Sequence, residues 1–222
     1  ASQKAAWFGA LRRMATTPPP PTLVLLVRHG LTPTTGTRLP GRAPGLHLSD
    51  AGKAQAETVA RRIAPLGDVA AVYASPLERA KETAAPIARA TGNRVRTLAD
   101  LHECDFGEWT GRRLADLYKK REWRQVQRNP SGFRFPKGES FSEMQVRITD
   151  ALAQLRARHP GPRAVAVSHA APIKAAVAHA TGTHLDLFQR IVISPCSLTP
   201  ILVGAGAPVV LAVNSTGDDL SA

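Results

Sequence analysis

Residues 22–32 read TLVLLVRHGLT. The first six are an uninterrupted apolar run of the length of a fully buried strand. The run ends on a cation, an imidazole and a glycine: Arg28, His29 and Gly30. Charge is costly in a core unless it is paired. A buried strand that ends this way needs a partner, supplied by the rest of the chain or by a ligand.

Working outward, strands and helices alternate. The stretch 48–64 is helical in pattern, with Ser49 or Asp50 as its cap. VAAVYA (69–74) is a second strand. Residues 76–92 form a helix with Pro76 near its first turn, Gly92 just past its end and Pro86 placed to kink it. RVRTL (94–98) is a short strand, 139–159 a long amphipathic helix, RAVAVS (163–168) a strand and 171–182 a helix. SLTPILV (197–203) and PVVLAVN (208–214) close the chain as a hairpin. Residues 102–137 are irregular, with one helix around LADLYKKREWRQVQ. This alternation predicts an α/β fold: a mostly parallel central sheet with helices on both faces. Residues 22–222 read as a single domain with a lid-like insertion at about 102–140, preceded by a flexible, proline-rich extension over 1–21.

Ligands of open α/β sheets bind outside the carboxyl ends of the strands. Here the first strand delivers Arg28 and His29. The 69–74 strand delivers Ser75, then Arg79 in the following helix turn. The 163–168 strand delivers His169. Two arginines and two histidines therefore converge on one sheet edge. Arginine grips phosphate through paired hydrogen bonds, and the helix starting near Pro76 aims free backbone N–H groups at the same edge. The pattern predicts an electropositive pocket for a dianion, with an external phosphate as the missing partner of Arg28. Phosphoryl transfer to a histidine also releases an alkoxide, which needs a proton to leave. The acids in range are Glu78, Glu82, Glu103, Asp105 and Glu108. Glu78 and Glu82 lie among basic neighbours on a helix and read as surface charges. Glu103 opens the irregular segment that can fold over the sheet edge.

Composition narrows the classes. The net charge of +12 favours anionic partners. The basic residues are spread out, no run of five or six occurs, and aromatics are only 5%, so nucleic-acid binding is not expected. No apolar run approaches the roughly 20 residues of a membrane helix, and no signal pattern opens the chain. Trp7, Phe8 and Leu11 beside Arg12 and Arg13 offer a short amphipathic turn, read as a tail rather than a membrane contact, and Met14 is a candidate native start. The two cysteines, Cys104 and Cys196, lie far apart and form neither a disulfide framework nor a metal motif. A reducing cytoplasm is the simplest location.

Four blocks in order, LVRHGLT, SPLERAKETA, LHECDFGEWTG and VSHAAP, resemble the signatures of the histidine phosphatase superfamily, the phosphoglycerate-mutase-like proteins. The R-H-G triplet alone is a weak signal; four blocks at successive strand ends are a specific one. The resemblance implies a three-layer αβα sandwich. It implies His29 as the nucleophile that becomes phosphohistidine, Arg28, Arg79 and His169 as holders of the phosphoryl oxygens, and Glu103 as general acid and then base, with Asp105 or Glu108 as the alternative acid. It implies no metal and no cofactor, because arginines neutralise the transition-state charge. Thr35, Gly41 and Ala170 fall at positions expected around the substrate. Thr35 stands where the family often has Asn, Ala170 where it often has Gly, and GRAPGLHLS replaces the usual acidic and proline positions; these departures concern the substrate pocket.

The leading expectation is a metal-independent phosphatase of small phosphomonoesters. A cofactor-dependent phosphoglycerate mutase shares the first half-reaction, but such mutases carry a longer insertion with RHYG where this chain has CDFGEWTG. A non-catalytic phosphate-binding module would lack the nucleophile or the acid, and both are present. A serine hydrolase is disfavoured: there is no G-x-S-x-G, and Ser168 and His169 are adjacent on a strand, so their side chains diverge. Arg112, Arg113, Lys119, Lys120, Arg121 and Arg124 in the insertion point either to a polyanionic substrate or to a solvated helix face. The C-terminal hairpin offers an edge for a homodimer.

Overall fold

A computed structural model describes residues 18–217. The readings of Trp7, Phe8, Leu11 and Met14 lie outside the described residues. The strands are β1 (Thr22–Arg28), β2 (Val69–Ala74), β3 (Val95–Thr97), β4 (Arg163–Ser168), β5 (Leu198–Val203) and β6 (Val209–Val210). The helices are α1 (Asp50–Ile63), α2 (Glu78–Ala90), α3 (Leu114–Leu117), α4 (Arg121–Arg128), α5 (Phe141–Arg158) and α6 (Ala170–Ala180), joined in places by short 3-10 turns.

The six strands form one sheet in the order β3-β2-β4-β1-β5-β6. The first four are mutually parallel, and β5 and β6 run antiparallel. Alternate residues of β1 face opposite layers. Leu25 and Val27 pack with Val59 and Ile63 of α1 and with Ala84 and Ile87 of α2. Val24 and Leu26 pack with Met144, Ile148 and Leu155 of α5 and with Ile173 of α6. Both faces of the strand are covered, which is why it reads as a continuous apolar run rather than an alternating one. The result is the three-layer αβα sandwich, and β4 sits between β1 and β2.

Local signals explain most boundaries. The Ser49 Oγ accepts from the Gly52 N–H at 3.1 Å and so caps α1. Ser140 and Glu143 form a reciprocal capping box at the start of α5. α2 begins at Glu78, two residues later than Pro76 suggested, with Leu77 as a cap that has no side-chain bond. It continues to Ala90 with Pro86 buried inside it. The single helix expected around residues 114–127 is two, because Lys120 is extended at ψ 142°. The break lets Leu117 of α3 and Val126 of α4 both reach buried positions beside Trp109 and Phe135. The last hairpin is shorter than 208–214 suggested, with only Val209–Val210 in the sheet.

Gly30 lets the chain just after β1 approach α1 closely. A Cβ there would lie 2.6 Å from the Gly52 carbonyl oxygen, and one on Gly52 would lie 2.0 Å from the Leu31 carbonyl oxygen. Gly→Ala inside a helix ordinarily gains up to about 1 kcal/mol. Gly52→Ala is expected to do the opposite and destabilise by at least about 2 kcal/mol, because backbone on both sides must move. Urea unfolding of the two proteins checks the sign.

Candidate active site

The parallel register brings three strand ends together. The ladder continues one residue past each strand: the His29 N–H donates to the Ser168 carbonyl at 3.0 Å and the Ser75 N–H to the Val167 carbonyl at 2.9 Å. His29, Ser75 and His169 therefore stand side by side. The two imidazoles are 5.1 Å apart between ring centres, and the His169 Nε2 and Ser75 Oγ share a hydrogen bond of 2.8 Å.

His29 has an assignable tautomer. Its Nδ1 lies 2.7 Å from the Gly30 carbonyl oxygen, which can only accept, so Nδ1 carries the proton. The Arg79 Nε donates to its Nε2 at 3.3 Å, so Nε2 presents a lone pair. Burial, then the Arg79 and Arg28 guanidiniums, hold the imidazole neutral with its pKa pushed down to about 3. Burial, followed by Arg79, pushes His169 well down too.

Arg79 has no exposed surface. Besides His29, it donates Nη2 to the Gly41 carbonyl at 2.8 Å. Gly41, at φ +54°, therefore serves the site by holding Arg79, and it is not on the cavity wall. Thr83, one turn along α2, accepts from the Gly30 N–H at 3.0 Å and donates to the Arg79 carbonyl at 2.7 Å, tying strand end to helix. Arg28 donates Nη1 to the Ile193 carbonyl at 2.6 Å. The Arg28 Nε, Arg79 Nη1 and His169 Nδ1 are buried with no hydrogen-bond partner among the described residues. Buried polar nitrogens are ordinarily bonded, so three of them around one imidazole describe an acceptor-binding site. Glu78 and Glu82 are not idle surface charges: they accept from the Gly45 and Leu48 N–H groups and fasten the loop that carries Gly41 to α2.

Glu103 is buried, and one carboxylate oxygen accepts from the Cys104 N–H at 2.9 Å. Burial raises its pKa, and Arg79, Arg28 and Arg147 only partly offset this. Arg147, on α5, braces the turn that carries it. Its guanidinium donates to the Asp100, His102 and Glu103 carbonyls at 2.7, 3.0 and 3.4 Å and to the Glu139 carboxylate at 2.7 Å. Arg42 joins from the other side, with Nε on the Glu103 carbonyl at 2.9 Å and Nη2 on Glu139 at 3.0 Å. Asp105 and Glu108, the alternative acids, are not on the cavity wall. Cys104 is buried and its thiol is pushed up by burial, then by Glu139 and Glu103, so it is no nucleophile.

A cavity of about 380 Å³ opens on these groups, with Arg28, His29, Thr35, Glu103 and Ala170 on its wall. Arg79 and His169 lie beneath His29, fully buried. The Thr35 Oγ1 accepts from the Thr32 N–H at 3.0 Å. Lys174, one turn into α6, also lines the cavity and donates to Gln189 at 3.3 Å. Neither Lys174 nor Arg147 carried a motif in sequence; only their place one and two turns into helices that start at the sheet edge could have suggested them.

Residues 24–216 match the model of the histidine phosphatase superfamily, branch 1, and the chain belongs to that family. An uncharacterised Mycobacterium tuberculosis protein is 41% identical over 169 residues, covering 74% of this chain and 81% of its own. Phosphoserine phosphatase 1 of Hydrogenobacter thermophilus is 30% identical over 181 residues, 79% of this chain and 85% of that one. Among solved structures, the phosphoserine phosphatase of Entamoeba histolytica in complex with 3-phosphoglyceric acid superposes with a TM-score of 0.80 at 26% identity, over 89% of this chain and 98% of the other. No helix among the described residues is long and apolar enough to cross a membrane.

The two depressed histidines make a stability prediction. Below the unfolded value of 6.5, the unfolded chain takes up protons that the folded site refuses. Stability is full above that pH and is expected to fall on acidification from 6.5 towards 3, by about 1.4 kcal/mol per pH unit for each histidine. His29→Asn should make the decline shallower. Urea midpoints between pH 7.5 and 4 check it; equal slopes for the two proteins would refute the assignment.

Proposed function

We propose that this protein is a phosphatase that hydrolyses small phosphomonoesters through a phosphohistidine at His29. The observation that carries this reading is the state of His29. It is a neutral imidazole, its Nδ1 proton locked on Gly30 and its Nε2 lone pair facing a guanidinium, in a cavity shared with the protonatable Glu103.

In the first step the His29 Nε2 attacks phosphorus and a P–N bond forms as the P–O ester bond breaks. The Arg28 Nε, Arg79 Nη1 and His169 Nδ1 supply donors for the phosphoryl oxygens, and this charge stabilisation needs no metal. The long contact between Arg79 and His29 gives way as phosphate takes the guanidinium. Glu103, whose protonated form burial favours, gives its proton to the departing alkoxide. In the second step the Glu103 carboxylate takes a proton from water, the oxygen attacks phosphorus, and the P–N bond breaks to release phosphate. The segment after Glu103 presents Phe106 to the cavity rather than a cation for a second phosphate. That supports release to water over return of the phosphoryl group to another hydroxyl.

Phosphate release from phosphomonoesters is expected to survive EDTA and to vanish in His29→Ala; dependence on added metal would overturn the mechanism. Glu103→Gln should slow alkyl esters by about 10²- to 10⁴-fold, as expected for loss of a general acid. It should slow p-nitrophenyl phosphate much less, because nitrophenolate leaves without a proton. The acid works only while protonated, so kcat/KM for alkyl esters should fall as pH rises through the raised pKa of Glu103, and that alkaline limb should disappear in Glu103→Gln. Arg147→Lys keeps the charge but cannot span three carbonyls. As a positioning residue it should show the same dependence on leaving group in weaker form. A uniform loss across all esters would make its role merely structural.

A further inference from the structure

The six cations of the insertion that raised a polyanionic substrate do not meet the cavity. Arg112, Arg113, Lys119, Lys120, Arg121 and Arg124 are all exposed, and none lines its wall. What the insertion presents instead is apolar. Phe106, Leu114, Trp123, Val126 and Phe135 line the cavity, opposite Leu39 from the loop after β1. α4 explains the division: Trp123 and Val126, three residues apart, turn inward, while Arg121, Arg124 and Arg128 face solvent.

This wall is preformed. Trp123 stacks on Trp109 with ring centres 6.1 Å apart and an interplanar angle of 24°, and Tyr118 packs on its other side at 5.1 Å. Trp109 is itself buried edge-on against Phe135 at 5.4 Å. Two further cations share the wall: Arg38, which donates one nitrogen to the Gly111 carbonyl at 2.8 Å, and Lys174, which donates to Gln189, also on the wall, at 3.3 Å. The cavity thus joins the charged groups around Arg28, His29 and Glu103 to an aromatic wall.

From this we infer that the preferred substrates are phosphomonoesters whose alcohol carries an apolar body of about the size of an aromatic ring. The inference deepens the phosphatase reading and rests on it for the word substrate. Its physical content is that a ring on the alcohol would be removed from water against Phe106, Leu114, Trp123, Val126 and Phe135. The apolar end lies on the same cavity as the phosphate end, so one small molecule can reach both.

Two phosphonates that cannot be hydrolysed at the ester position test it: 2-phenylethylphosphonate and 2-carboxyethylphosphonate, alike in their linker and opposite in their tail. Calorimetric titration of the intact protein is expected to show the phenyl compound binding at least tenfold tighter. Trp123→Ser should shrink that preference to less than threefold. Equal or tighter binding of the carboxylate compound by the unmodified protein would overturn the inference, independently of whether the variant folds. Turnover of p-nitrophenyl phosphate, measured in parallel, tests the phosphatase reading separately, because the binding preference can be read even if no ester is hydrolysed.

Discussion

A fully buried guanidinium, Arg79, sets the terms for the rest of the site. It has no exposed surface, and among the described residues no carboxylate bonds to it; its side-chain hydrogen bonds go to the His29 imidazole and the Gly41 carbonyl. A cation so placed makes protonation of the neighbouring imidazoles unfavourable, and together with burial it keeps both neutral. The same burial acts in reverse on Glu103, where it favours the protonated form. One low-dielectric pocket thus holds a neutral imidazole whose Nε2 accepts from Arg79 and a carboxyl group whose protonated form is favoured by burial. The surroundings hold Arg79 in place: Thr83 on its own helix, Gly41 on the loop, and Glu78 and Glu82 fastening that loop.

The insertion after β3 performs two tasks with two kinds of residue. Its first turns are tied down by charge, as Arg147 and Arg42 hold the backbone around Glu103 and meet at Glu139. These groups are partly buried, where ion pairs and charge-assisted bonds to carbonyls hold geometry better than surface pairs do. Its later part is tied down by rings. Trp109, Phe133, Phe135 and Phe141 pack edge to face or tilted, at 4.9 to 5.6 Å, with Phe106 against Phe135. A segment that reads as irregular in sequence is therefore fixed by ion pairs and ring packing, and it forms one wall of the cavity.

How much of this was legible in the sequence follows from range. Strands such as TLVLLV and RAVAVS are recognisable because burial on both faces leaves an apolar run. The cap at Ser49 or Asp50 is recognisable because capping is a contact within four residues, and the structure selects Ser49. The meeting of Arg28, His29, Arg79 and His169 was also legible, since a parallel sheet aligns its strand ends. The break at Lys120 was not, because it depends on where Leu117 and Val126 find the aromatic cluster. Nor was the packing role of Gly30, because its neighbour Gly52 lies 22 positions along the chain.

What the sequence determined by itself is the α/β order and the set of groups at the sheet edge, because both follow from residue type and local period. Which nitrogen of His29 carries its proton, which acid shares its cavity, and which face of the basic insertion lines that cavity were decided only by tertiary structure. Each depends on what lies within a few ångströms from distant parts of the chain. Dielectric, hydrogen-bond partner and apolar contact are properties of that neighbourhood and not of the residue.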